Sequence, residues 1–401
     1  MVVESSGESA GMGPAPSPAA TPEPSPDPPR RRRWVLATCL TIAALVVAAI
    51  IVFTLVSANR AFDRAAADLS AADDSAADAD ASLRAAADET TDAAERAGQI
   101  LALAADDLVD AGTRMSFAEA TTAALAATAD ADALLGDPLE TERLGKQLLP
   151  WDLLAAADAM QEDASALEDR QADADATRRS VAASEQTMTT AAEAMFASAG
   201  PAAAALEAEN VSAVSLVVLD FRDASEAVAG QQGLGSGALT AFTAYAAEGG
   251  NLKQSQQSEL AEKAGPLLTT RLEIEEYARS IAGGVVLDFD WAPLVNGLGG
   301  DRSLSGMATW NTARGGFSTI TLSDSIAETW PSPDSRAIVT HEVGHSITSK
   351  CSALFDSTSG PANEEWATAW AISMGQTAEG NGVQAYGYPS QSMIDAASGC
   401  R

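Results

Sequence analysis

Histidine is almost missing from this chain: its 401 residues contain two. Cysteine occurs three times and tyrosine four times. Basic residues are outnumbered, 24 Lys and Arg against 56 Asp and Glu, for a formal charge of −32. That deficit excludes nucleic acid as a partner, because phosphate binding needs a basic face. The scarcity of histidine works the other way. Both copies, His341 and His345, fall in the one stretch IVTHEVGHSIT. Random placement of two residues rarely sets them one helical turn apart.

Large apolar side chains are nearly absent from residues 1–29, where Pro, Ser, Gly and Ala dominate. Such a segment buries too little surface to offset its ordering entropy, and residues 1–33 read as a disordered cytoplasmic tail. Charge is then absent from Trp34 to Val56, directly after the four arginines Arg30–Arg33. At 1.5 Å per residue this run spans about 35 Å, enough to cross a bilayer with some tilt. It is long for a cleaved signal, starts late, and has no clear small-residue cleavage site after it, so a retained transmembrane helix is expected. Arg60 and Arg64 follow the run with Asp63 between them. The excess of arginine on the leading side puts the N-terminus in the cytoplasm and the rest outside a cell membrane crossed once. Cys39 lies in the span, leaving Cys351 and Cys400 alone together outside. A pair in an oxidising space reads as a disulfide, closing a loop of about 50 residues at a gain of about 4 kcal/mol.

Proline is rare from Ser57 to Ile281, where Ala, Asp and Glu are common. This composition forms helices. Leu153, Met160, Leu167, Ala174, Val181, Met188 and Met195 recur every seventh position, with a shorter echo in Phe62, Leu69, Ala76 and Leu83. A seven-residue apolar stripe is a coiled-coil-like seam between helices. Gly200-Pro201 is the expected stop of the long helix, and another helix is expected from about Leu252 to Ile281. Residues 57–282 thus read as an acidic helical spacer rather than a ligand-sensing bundle, with the seam available for self-association. At Gly283 alanine falls and Gly, Trp, Ser and Thr rise, so residues 283–401 are read as a separate domain. Val285, Leu287, Phe289 and Trp291 alternate as in a strand, as do the residues of Gly315–Ser323.

In that last domain a helix is expected from about Ser335, with Asp334 as its cap. Positions four apart on a helix share a face, so His341 and His345 can aim ring nitrogens at one ion. Glu342 is displaced by about 100° around the axis, where it reaches a water rather than the ion. Zinc activates water and polarises a carbonyl, and the glutamate takes the proton. A catalytic zinc needs a third protein ligand. The stretch GPANEEWATAWAISMG offers Glu364 and, as its rival, Glu365, in the first turn of a second helix that Asn363 can cap. With Glu364 toward the metal, Thr368 and Ala371 share its face, and Trp366 and Trp370 turn into the core.

The segment from about Phe317 to Gly375 resembles the gluzincin metallopeptidases, especially the minimal-gluzincin families. These carry H-E-x-x-H on one helix and a glutamate ligand on the next, in patterns such as N-E-x-x-x-D or E-x-x-A-D. The resemblance implies His341, His345 and Glu364 as ligands of one Zn2+, Glu342 as general base, and Ala367 in the place of the family's alanine. Thr368 stands where the family has an aspartate that orients a ligand histidine, and threonine brings no charge to that role. The resemblance also implies that the strand before the metal helix, Gly315–Ser323, pairs at a sheet edge with peptide substrate; the residues alone equally allow a core strand. Tyr386 and Tyr388 are candidate donors to the transition-state oxyanion.

The expected fold is mainly α: an N-terminal transmembrane helix, a long coiled-coil-like extracytoplasmic region, and a small α+β zincin-like domain. The expected function is a membrane-anchored zinc metallopeptidase, a hydrolase of peptide or protein substrates. The alternative is a catalytically inactive zincin-like binding module on a helical stalk.

Overall fold

The computed structural model describes residues 30–141, 144–300 and 303–401. The stretch 1–29, where disorder is expected, lies outside the described residues. The chain is mainly helical and divides into two compact units, Met1–Asp73 with Thr141–Ala166, and Asp74–Glu140 with Leu167–Arg401. In chain order the elements are α1 (Arg30–Leu103), α2 (Ala111–Leu135), α3 (Pro150–Ala197), α4 (Ala199–Glu209), α5 (Ser215–Ala229), α6 (Ser236–Glu262) and α7 (Leu268–Ile281). Three strands follow, β1 (Val286–Ala292), β2 (Gly306–Asn311) and β3 (Phe317–Ser323), then α8 (Asp324–Thr329), α9 (Pro333–Cys351), α10 (Gly360–Ser373), α11 (Val383–Tyr386) and α12 (Gln391–Ser398).

The start of α1 holds the apolar run, and it is the one described helix long and apolar enough to cross a membrane. Its large side chains from Trp34 to Phe53 are exposed. The seven-residue stripe is buried at every position from Leu153 to Met195, and so is its echo from Phe62 to Leu83. In the second unit Leu83 and Ala87 of α1, Ala131 of α2, and Ala174 and Val181 of α3 form one small core. A larger one joins Phe117, Met188, Phe196, Phe221 and Phe242, with the Tyr245 hydroxyl donating to the buried carbonyl of Leu108 at 2.9 Å.

Two helix boundaries differ from the sequence expectation. The long helix breaks at Ser198, and Pro201 lies in the first turn of α4 rather than ending α3. A first turn tolerates proline because its N–H has no partner there in any case. The single helix expected from 252 to 281 is instead α6 and α7, separated where Gly265 takes φ +134° ahead of Pro266.

The sheet has the order β1-β3-β2, with β1 parallel and β2 antiparallel to β3. Gly315–Ser323 therefore supplies the central strand: of the two readings left open, the core strand is found and the edge strand implied by the resemblance is not. The central strand is paired on both sides: Phe289 of β1 and Ala308 of β2 both register with Ile320. Ile320 and Leu322 are buried with Leu287 and Phe289, with Val339, Val343 and Ile347 of α9, and with Trp366 and Trp370 of α10. Ile274 and Ala278 of α7 belong to the same core, so it reaches back past Gly283.

Candidate metal centre

Pro333 opens α9 at its first position, which makes Ser332 the cap. The Ser332 hydroxyl accepts from the Ser335 N–H at 3.2 Å. Asp334, the expected cap, is displaced into the first turn and accepts from the Glu379 N–H instead. The same shift occurs at α10, where Ser359 caps ahead of Gly360-Pro361 and the Asn363 amide donates back to the Ser357 and Ser359 carbonyls. The proline again sits inside the first turn.

The two helices cross closely. A Cβ on Gly344 would lie 2.9 Å from Ala367 Cα and 3.0 Å from its carbonyl oxygen. Only small residues on both sides permit this approach. The crossing is fastened by Trp366, whose indole N–H donates to the Gly344 carbonyl at 3.1 Å. Trp370 donates likewise to the Cys400 carbonyl at 2.9 Å, and Cys400 is disulfide-bonded to Cys351 at the end of α9. Both tryptophans are fully buried, and Glu364, in the first turn of α10, also faces α9.

There Glu364 Oε2 lies 3.3 Å from the Nε2 atoms of both His341 and His345. Ligand atoms of these three residues all lie within 4.8 Å of one another, an arrangement that can hold a metal ion. Glu365 is turned away: its carboxylate accepts from the Ser390 N–H and hydroxyl at the start of α12. His341 Nδ1 lies 3.2 Å from the Asn381 carbonyl. A carbonyl can only accept, so Nδ1 carries a proton, and in the neutral ring Nε2 presents its lone pair to the centre. The backbone of Asn381 is thus the group that orients the His341 ring. Thr368 Oγ1 is buried and has no hydrogen-bond partner among the described residues.

Glu342 is buried, and its Oε2 also lacks a hydrogen-bond partner among the described residues. Burial pushes its carboxyl up to about 7, against the pull of His341 and with a further push from Glu364. For Glu364, burial works upward as well, but when the two histidines are protonated their hydrogen bonds and charge outweigh it and hold the carboxyl well below the usual carboxylate range. One group is thus poised to exchange a proton near neutrality and the other is fixed as an anion.

Glu342 opens onto a cleft of about 540 Å³, lined also by Ser305, Gly306, His341, Gly382 and Tyr386. Gly306 begins β2, and a Cβ there would fall 2.5 Å from Glu342 Cγ. The strand that borders the cleft is therefore β2, an edge strand. Tyr386 stacks on the His341 ring, with centroids 5.8 Å apart and planes 10° apart. Its hydroxyl is pushed up by burial first and then by Glu364 and Glu342, so it remains a donor at neutral pH. Tyr388 lines a separate hollow with Gln376 and Thr377 and is not among the residues of this cleft. Gly306, Asn381 and Gly382 were not apparent as site residues from sequence. The run Gly380-Asn381-Gly382 announces a turn, but nothing in it says that a carbonyl from that turn reaches His341. No family model, curated protein or solved structure matches this chain.

Proposed function

We propose that this chain is a membrane-anchored zinc metallopeptidase whose zincin-like C-terminal domain hydrolyses peptide bonds outside the cytoplasm. The observation that carries the reading is the pair of 3.3 Å separations from Glu364 Oε2 to the two histidine nitrogens, with Glu342 buried beside them. Atoms bound about 2.0–2.1 Å from a tetrahedral ion stand roughly 3.3 Å apart, so the donor types and the two Glu364–histidine separations suit zinc. His341, His345 and Glu364 would hold the ion. Bound there, zinc would supply Lewis-acid polarisation of a carbonyl and activation of water.

The rest of the chemistry falls to side chains. Glu342 takes the proton of the attacking water at Oε2 and returns it to the departing amine, a relay suited to a carboxyl near 7. Tyr386 donates its hydroxyl toward the oxyanion. Asn381 holds the His341 ring in the tautomer that leaves Nε2 free. Trp34–Val56 is the anchor, with Arg30–Arg33 on the cytoplasmic side. The Cys351–Cys400 disulfide is consistent with an oxidising space for the domain.

The second reading, an inactive zincin-like binding module, is favoured by one observation: Thr368 brings no charge to the site, and its hydroxyl is buried without a partner. Metal analysis and peptidase assay of the full-length chain separate the two. The wild type is expected to carry about one zinc per chain and to cleave a peptide library. Glu364→Ala is expected to lose most of the zinc, Glu365→Ala to keep it, and Glu342→Gln to keep zinc but lose cleavage. Zinc retained with no cleavage by the wild type would establish the binding module. No zinc in any variant would remove the peptidase reading.

A further inference from the structure

Among the large apolar residues exposed after Val56, four fall in one short stretch. Leu148 is 90% exposed, Trp151 64%, and Leu149 and Leu154 46% each. The stretch has a packed face, because Leu153 and Met160 are buried. The exposed set is thus a second apolar face at the start of α3. It belongs to the same compact unit as the apolar run of α1. Lys146 forms an ion pair with Asp63 at 2.7 Å, and its Nζ lies 5.8 Å from the Phe62 ring centre. Asp63 is about 10 Å along the helix from Val56, within reach of the headgroup layer of a bilayer crossed by Trp34–Val56.

The composition of this face also matches that layer. Tryptophan and lysine are the side chains that settle between hydrocarbon and water, one through an amphipathic ring and the other by extending its charge outward. Arg60 and Arg64 add cations at the same level of a chain that is otherwise strongly acidic. Lipid is therefore the occupant that both the position and the residue types fit.

We propose that Leu148, Leu149, Trp151 and Leu154 form a second membrane contact, inserted at the headgroup boundary of the bilayer that α1 crosses. The inference rests on the membrane placement proposed above. Two contacts fix the tilt and rotation of α1 more tightly than a single span does.

The test uses the full-length chain in lipid nanodiscs, with Cys39→Ala removing the free thiol. A fluorophore is attached at Leu148→Cys in one sample and at Leu45→Cys, inside the apolar run, in another. Quenching is compared between a nitroxide attached to lipid and one dissolved in water. The lipid-borne nitroxide is expected to quench the Leu148 site at least about half as strongly as the Leu45 site, with the aqueous one weak at both. A Leu148 site quenched only from water overturns the proposal. So does one shielded from both quenchers, which would mean that a second copy or another protein covers it. A Leu45 site that escapes the lipid-borne nitroxide overturns the membrane placement itself.

Discussion

Glu342 is held where its charge is costly, and that cost can be measured without any assay of function. Its carboxyl is pushed up to about 7, whereas an unfolded glutamate ionises near about 4.3. Below the lower value it is protonated in both states and costs nothing. Between the two values only the unfolded chain gains by ionising, so the contribution of Glu342 to metal-free stability falls as pH rises to about 7. Glu364 has the opposite sign, because its carboxyl is lowered, and its contribution is lost only as pH falls through the acidic range. In chelator-treated protein, Glu342→Gln is therefore expected to exceed the wild type in stability at pH 8 by up to about 3 kcal/mol, the gap closing toward pH 5. Denaturant titrations at several pH values check this; a gap that does not vary with pH would contradict the burial argument. Gly382 gives a second test. It takes φ +96°, and a Cβ there would meet Thr368 Oγ1 at 2.4 Å and the His341 ring at 2.7 Å. Gly382→Ala is expected to weaken zinc binding about 10–100-fold by displacing that ring. Gly375→Ala, with a similar φ of +85° but nothing near its Cβ, is the control for backbone strain and is expected to bind zinc normally. Histidine spacing is readable in the sequence because side-chain identity carries the chemistry. The Asn381 carbonyl is not, because every residue has one.

At the scale of elements, prolines explain most of the misplaced helix starts. Pro201, Pro333 and Pro361 all lie within first turns, and Pro150 opens α3. Each cap therefore falls earlier than a reading that treats proline as an outside marker. The apolar stripe of α3 was readable throughout because its period records a buried face. The place of β3 in the sheet was not, since a strand's alternation does not tell whether one or two neighbours flank it. Nor was the contact of Gly344 with Ala367, because small residues at a helix crossing look like any others until the partner is known. That crossing carries a prediction. Gly344→Val is expected to cost about 1–3 kcal/mol by overpacking and to lower zinc affinity, because it lifts Glu364 away from the histidines. Thermal melts and metal titrations check the two effects. Lost stability with unchanged affinity would mean that Glu364 is positioned by something other than this crossing.

For the whole molecule, composition marked out the apolar start of α1, the alanine-rich helices and the mixed C-terminal segment. It did not foresee that α7 enters the core of the sheet, since Ile274 and Ala278 look like any amphipathic helix until their neighbour is in place. The disulfide is the feature with the longest reach. Cys351 and Cys400 stand 49 positions apart, and the arc between them holds Glu364, Asn381, Gly382 and Tyr386, while His341, Glu342 and His345 lie outside it. The centre is thus assembled from a covalent ring and a separate rod. A proteolytic nick anywhere along the arc opens the ring without releasing either piece, and one between Cys351 and Glu364 leaves the half that bears Glu364 tethered to the half that bears the histidines. Limited proteolysis is expected to give a chain that runs intact on a non-reducing gel and splits in two only after reduction. A chain built this way can be cut along the arc and lose no fragment to the surroundings.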